Sequence, residues 1–362
     1  MVDEKINGQE NEKTIFNEIQ SQDKVWLSVV SSFLKLKKEL IKIFDNDYPV
    51  YFIGSGSSYH AAIIAEFAFK ELLDRKAFSI PSSEFLFYHK SYLKNKPTEN
   101  IFILISRTGQ TSDTLLAVDE IAKIGGYSVS LTSFPDSEIT QKCNYSVILE
   151  HCQEKSITST RAVTGFTAFF LCLFFSMAER HELISKLTNA GEVFFSKFNH
   201  YSDLVYSIVN KENFNRYIFL GHGPYYGAAR EAALKVKEMS ITNTEFWQTL
   251  EFRHGHNTTL DNNSLAVIFP SNAGIDYEIK TCRELKGIGI KILIICNSQD
   301  LNKLEGSYDY LIDMGLDLSE PVSELILQIF FQIFGQLIGY HQALKKGINP
   351  SNPRYLNYVI TI

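Results

Sequence analysis

The sequence predicts an α/β protein built from two similar units placed side by side, each a parallel sheet with helices on both faces. Three observations carry that expectation. Short apolar runs alternate with helical patterns along the chain, the signature of βαβ connections. A strand running straight into a glycine turn and an Ala-rich helix occurs twice, at Ile53-Gly54-Ser55-Gly56 and at Leu220-Gly221-His222-Gly223. A length of 362 residues favours two domains. The boundary is expected between residues 195 and 196, giving domains over 1–195 and 196–362.

In order, residues 15–44 read as helical, with apolar positions at 26, 27, 30 and 34 turned to a partner. Residues 48–53 form a first strand, followed by the glycine turn and a helix over 59–73. A strand over 77–80 and a short helix or loop over 82–88 come next. The third strand, 101–105, ends in Ser106-Arg107-Thr108-Gly109-Gln110-Thr111-Ser112 and leads into a helix to about 124. Strands follow at 127–131 and 145–149. A hydroxyl-rich loop over 154–164 precedes an apolar helix, and one long helix over 183–210 leads to the second half. There the strands fall at 217–220, 265–269, 291–296 and 310–314, with a polar loop after the helix that follows the second glycine turn.

Composition excludes several classes. Hydrophobic content is 45%, charge 21% and net charge −6, ordinary for a globular chain and giving no general pull toward nucleic acid or an anionic membrane. The five cysteines show no metal-ligand spacing, and their odd number suits reduced thiols in the cytoplasm. The opening residues are polar and acidic, unlike a signal peptide. The apolar run at 165–177 is short of the ~20 residues a span needs. The run at 325–344 is broken by Gln328, Gln332, Gln336 and His341, so both read as buried helices. No metal or organic cofactor is expected.

Two stretches carry chemistry. The 106–112 loop joins a strand end to a helix start, where backbone N–H groups and the helix dipole favour an anion. Ser106, Thr108 and Thr111 add hydroxyl donors and Gly109 lets the backbone close in. An N-capping loop would also use Ser and Thr, but capping needs one hydroxyl and this loop has four. The corresponding loop in the second half, Pro270-Ser271-Asn272-Ala273-Gly274, has lost most of its hydroxyls, so a single phosphate site is expected. The other stretch is the helix after the second glycine turn. Glu231, Lys235 and Glu238 stand at i, i+4 and i+7 on one face, with Arg253-His254-Gly255 beyond. Such pairs are commonly solvated, yet this helix is otherwise apolar and reads as packed. The kit suits general acid–base chemistry on a sugar phosphate, with the phosphate on the first half and the reacting carbons at Glu238.

The segments IGSGSSYHAA, SRTGQTSDTLLA, EAALKVKEMS, EFRHG and NPSNPRYLNYVI resemble the double sugar isomerase (SIS) domain proteins. These include the isomerase half of glucosamine–fructose-6-phosphate aminotransferase, and the resemblance is closer to archaeal-type glucosamine-6-phosphate deaminases. It implies two flavodoxin-like domains, each a parallel five-stranded sheet flanked by helices, and a phosphorylated aminosugar as partner. It implies that Ser106, Arg107, Thr108 and Thr111 hold the phosphate, with Ser57, Ser58, Glu154 and Ser156 beside the sugar. Glu238 resembles the base that moves a proton between C1 and C2, Lys235 and Glu231 its orienting partners, and His254 the ring-opening residue, supplied across a homodimer interface. The family's tail usually carries a lysine where this chain has Tyr358, which would leave proton transfer to Tyr358 or water. The proline often seen after RHG is His256, and the family's TxSFT loop reads Thr160-Arg161-Ala162-Val163-Thr164. No glutaminase domain with a leading cysteine is evident, so glutamine-derived ammonia is not expected. The implied reaction is conversion of glucosamine 6-phosphate to fructose 6-phosphate and ammonia. The rivals are a fructosamine-6-phosphate deglycase, a ketose/aldose phosphate isomerase and a non-catalytic sugar-phosphate sensor.

Overall fold

The structure, a computed structural model, describes residues 14–297 and 301–362. The chain divides into two compact units. The first comprises Ser21–Lys155, Ser159–Thr188 and Asn357–Ile362; the second takes the described residues up to Gln20 with Ser156–Thr158 and Asn189–Leu356. The main division thus falls at 188/189, and the last residues of the tail are counted with the first unit.

The first unit opens with helix α1 (Gln22–Ile43). Its buried stripe is Gln22, Val25, Trp26, Val29, Phe33 and Leu40, whereas Leu27 and Leu34 are exposed. The packed face is therefore rotated from the one expected, because it is set by helix α6 (Arg161–Met177): the Trp26 indole donates to Thr164 Oγ1 at 3.2 Å. Between these helices lie β1 (Val50–Gly54), α2 (Ser57–Leu73), β2 (Ala77–Pro81), α3 (Ser82–Tyr92), β3 (Ile101–Ile105), α4 (Ser112–Lys123), β4 (Tyr127–Thr132), α5 (Glu138–Lys142) and β5 (Tyr145–Ile148). All pairings are parallel and the order is β2-β1-β3-β4-β5, the flavodoxin-like arrangement. Every residue of β1 and β3 is buried, as strands covered on both faces must be. Helix α6 starts four residues before the apolar run and buries Ala162 through Ser176. A Cβ on Gly165 would stand 2.4 Å from the Cys152 sulfur, so that close approach requires glycine.

The predicted helix over 183–210 is two helices, α7 (Glu182–Ser196) and α8 (Phe198–Lys211), broken at Lys197. Aromatic packing sets the bend: Phe194 stacks on Tyr201 at 4.8 Å and Phe195 on Phe198 at 5.6 Å. The second unit continues with β6 (Arg216–Gly221), α9 (Pro224–Ser240), β7 (Asn243–Trp247), β8 (Ser264–Phe269), α10 (Ile275–Gly287), β9 (Lys291–Cys296), β10 (Tyr310–Asp313) and α11 (Glu324–Lys345). Its sheet, read β7-β6-β8-β9-β10, repeats the order of the first and is again parallel.

Strand β7 lies where a polar loop was expected. It pairs with β6 on one side only, and its residues Asn243 and Glu245 stay partly solvated, so it lacks the apolar pattern of an inner strand. Helix α11 is long and apolar enough to cross a membrane by length and composition, but it is packed in the second unit, with Gln328, Gln332 and Gln336 fully buried. It lies against α9 so tightly that a Cβ on Gly335 would be 2.4 Å from the Ala232 Cα. All five cysteines are free thiols, four of them buried.

Candidate active site

Each sheet reverses the direction of strand addition between its first and third strands, and ligands of such sheets bind at the strand C-termini there. In the first unit Gly54 pairs with Ile105, so the glycine turn and the 106–112 loop emerge side by side. In the second unit Gly221 pairs with Phe269, which sets His222 beside the 270–274 loop in the same way. The turns themselves are alike: Gly56 has φ 56° and ψ −126°, Gly223 φ 54° and ψ −124°, a region that favours glycine.

The 106–112 loop is braced by its own hydroxyls. Ser106 Oγ accepts the Gly109 amide at 3.1 Å, and Thr108 Oγ1 accepts the Gln110 amide at 3.3 Å. Ser106 Oγ lies 3.4 Å from Thr111 Oγ1, which brings two of the three hydroxyls named from sequence together. Gly109 has φ 66° and packs against Ser137 and Ile139, leaving no room for a side chain. Ser57 and Ser58 start α2, half-buried. Ser55 Oγ donates to Asp113 in the first turn of α4 at 2.6 Å, tying the two corners together.

Glu154 is a buried acceptor. Its Oε1 takes the Thr160 amide and hydroxyl, both at 2.6 Å, and the Arg161 amide at 2.8 Å, which caps α6. Its Oε2 lies 3.3 Å from Arg107 Nη1. The Tyr358 hydroxyl donates to the Glu154 carbonyl at 2.8 Å, and its ring faces the Arg107 guanidinium at 4.4 Å. Glu154, Arg107 and Tyr358 are thus brought together, chiefly by holding one another. Farther along the tail, the Ile360 carbonyl accepts the Ser112 amide at 3.2 Å. A cavity of about 260 Å³ opens here, lined by Thr108, Gln110, Pro135, Ser137, Tyr358 and Val359. Ser156 is buried and belongs to the second unit.

In the second unit α9 carries the acid–base triad. Lys235 and Glu231 are fully buried, with Nζ 3.4 Å from Glu231 Oε1 and 2.5 Å from Glu238 Oε2. The Glu238 side chain is 17% exposed and is the member of the three that reaches the surface. A solvated i, i+4 pair would leave all three ends in water; burial of the ammonium excludes that reading. His254 is exposed and follows the short turn Glu251–Arg253, which Phe252 plugs into the core and Arg253 ties to Glu284 with two contacts of 2.9 Å. His256, at the position where the family often has proline, stacks on Trp247 with ring centroids 3.5 Å apart.

Sequence reasoning missed a pair in this unit. Glu278, fully buried in α10, sits 2.7 Å from His222 Nδ1 and accepts the Ser271 amide at 2.7 Å. In sequence it reads as an ordinary solvated helix acid. The signal was spacing: Ser271, Gly274 and Glu278 follow one another as Ser106, Gly109 and Asp113 do.

A SIS domain model matches residues 42–175 and 210–331. An isomerizing glutamine–fructose-6-phosphate aminotransferase of Oceanobacillus iheyensis is 25% identical over 304 residues, covering 78% of this chain and 48% of that protein. The chain spans about half the length of the curated relatives it matches. Among solved structures, a candidate tagatose-6-phosphate ketose/aldose isomerase of Clostridium novyi aligns with a TM-score of 0.85 at 25% identity, covering 96% of this chain and 93% of that one. A glucosamine-6-phosphate deaminase of Thermotoga maritima aligns with a TM-score of 0.69 at 24% identity, covering 92% and 100%, a likeness of fold.

Proposed function

The chain belongs to the SIS domain family, and from that premise we propose that it is a phosphosugar enzyme transferring a proton between C1 and C2, with glucosamine 6-phosphate as substrate. The observation that carries this reading is the buried Lys235 between Glu231 and Glu238, with Glu238 alone reaching the surface. A buried ammonium held by two carboxylates aims the outer one and balances its charge, as a positioned base requires.

The phosphate is held by Ser106, Thr108 and Thr111, with Arg107 adding positive charge and Ser57 and Ser58 beside the sugar. His254 protonates the ring oxygen and opens the ring, supplied by a second copy of the chain in a homodimer. Glu238 removes the C2 proton and returns it to C1, which turns the C1 aldehyde into an alcohol and the C2 amine into an imine. Water adds to the imine and ammonia leaves, giving fructose 6-phosphate. The tail offers Tyr358 rather than an amine, and its hydroxyl is engaged with the Glu154 carbonyl. With a phenol in place of the tail amine, proton transfer at the imine falls to Tyr358 or water, and water hydrolyses the imine.

That same observation favours a second reading, plain ketose/aldose isomerisation, in which Glu238 acts identically and no amine is lost. A panel of hexosamine 6-phosphates, hexose 6-phosphates and fructosamine 6-phosphates, followed for sugar interconversion and for release of ammonia or amine, separates the readings. Ammonia from glucosamine 6-phosphate is the expected result. Interconversion of a ketose and an aldose without ammonia establishes the second reading, and amine release confined to fructosamine 6-phosphates makes the protein a deglycase. Binding without any turnover overturns the enzyme and leaves a sensor.

A further inference from the structure

The loop after β8 repeats the serine-to-glycine hydrogen bond of the 106–112 loop and places a buried carboxylate of its own against the backbone. The Gly274 amide donates to Ser271 Oγ at 3.1 Å, as the Gly109 amide does to Ser106 Oγ at 3.1 Å. A Cβ on Gly274 would stand 3.2 Å from the Glu278 carboxyl carbon, so glycine here lets the carboxylate approach the backbone. At the matching place in the first unit the shorter Asp113 reaches across to Ser55 at 2.6 Å. Glu278, one methylene longer, takes the loop's leading amide instead: Ser271 N–H donates to Oε2 at 2.7 Å and the Ser271 hydroxyl lies 3.3 Å from both oxygens.

The carboxylate also faces outward to two further groups. His222 Nδ1 is 2.7 Å from Oε1, and Thr249 Oγ1 is 3.5 Å from the same oxygen. On its other side His222 Nε2 accepts the Leu250 amide at 3.4 Å, which fixes the tautomer as Nδ1–H donating to Glu278. Residues 249 and 250 are the root of the turn that ends in His254: the Arg253 amide donates to Leu250 O and the His254 amide to Glu251 O.

We propose that Glu278 is a built-in substitute for a bound anion and, through His222 and Thr249, the positioning residue of the segment that carries His254. A carboxylate closes the second loop to phosphate by charge and by volume, and the donors that would have gripped a ligand hold the histidine segment in register. The catalytic part of this inference rests on the reading of His254 as the ring-opening residue; the anion-substitute part does not.

Glu278→Ala removes the carboxylate and leaves its donors facing a hole, so small anions become the test. Formate and inorganic phosphate are expected to raise the melting temperature of Glu278→Ala by several degrees while leaving the unmodified chain unchanged. With glucosamine 6-phosphate the variant is expected to lose turnover by roughly a hundredfold, the scale of an ångström's misplacement, with KM shifted by no more than about threefold and kcat partly restored by formate. Glu278→Gln, which keeps the shape, serves if the alanine variant does not fold, and predicts the same split of kcat from KM. Neither anion restoring Glu278→Ala, or formate acting equally on the unmodified chain, overturns the substitute. Restored melting with kcat unchanged throughout overturns the positioning role. If anions restore melting but no form turns over any phosphosugar, the assignment of function fails and the substitute stands.

Discussion

The loop after β3 and the loop after β8 share one serine-to-glycine hydrogen bond and differ in backbone and electrostatics: Gly109 has φ 66° and Gly274 φ −106°. Both follow a buried parallel strand, both turn on a glycine whose amide is taken by a serine hydroxyl three residues earlier, and both lie beside a glycine turn with positive φ. The first surrounds its opening with Ser106, Thr108 and Thr111; the second brings a buried carboxylate to its leading amide. Asp113 and Glu278 occupy the same place relative to the serine and glycine and differ by one methylene: the shorter acid reaches Ser55, the longer one the leading amide of its own loop. Repeated folds diverge in function through such exchanges, because the backbone donors persist and the side chain decides what they bind.

The largest effect is expected at Lys235, the fully buried cation of the acid–base triad in the second unit. Lys235→Met removes the buried ammonium beside Glu231 and Glu238 and should destabilise the protein by about 3–5 kcal/mol in a denaturant titration. An unchanged midpoint would mean that the ammonium is not the group that neutralises the two carboxylates.

The second unit should also carry an acid sensitivity of its own. His341 in α11 is buried, bonds Ser202 Oγ through Nε2 at 2.9 Å, and faces Tyr206 and Asp203; burial pushes its pKa down from 6.5 to about 4. In the unfolded chain the imidazole takes a proton near its ordinary pKa, while the fold resists it. The neutral ring's contribution is therefore complete above about pH 6.5 and is lost as pH falls toward about 4, amounting at most to a few kcal/mol. His341→Gln should flatten the decline of stability across that window; an unchanged slope would assign the sensitivity to other groups.

The mildest changes sharpen the contrast between the loops. Ser106→Ala and Thr108→Val should each weaken hexose 6-phosphate binding by about five- to tenfold, near 1 kcal/mol for a hydroxyl contact. Ser271→Ala should leave that affinity unchanged, as read by calorimetry. Equal losses from Ser106→Ala and Ser271→Ala would remove the distinction between the loops.

Much of this was legible in the sequence. Buried strands such as 101–105 and 265–269 are continuous apolar runs, and the glycine turns announce themselves by spacing. The hydroxyl cluster at 106–111 and the face shared by Glu231, Lys235 and Glu238 follow from residue type and helical period. Strand β7 was hidden because an edge strand need not be apolar, and residues 243–247 are mostly polar. The break at Lys197 has no glycine or proline to mark it; aromatic packing between α7 and α8 produces it. The hold of the Glu154 carboxylate on the start of α6 was not legible, because it depends on where residues 160 and 161 return in space. Glu278 was hidden in part for the same reason: its spacing from Ser271 was on view, but His222 lies 56 residues away in sequence.

The most direct measurement is exchange of the C1 and C2 hydrogens of glucosamine 6-phosphate and fructose 6-phosphate with deuterium oxide, followed by NMR, in the unmodified chain and in Glu238→Gln. The unmodified chain should wash deuterium into those positions. Glu238→Gln should bind both sugars within about threefold of the unmodified affinity and exchange them at least about a hundredfold more slowly. Undiminished exchange in Glu238→Gln would contradict the assignment of that carboxylate as the base.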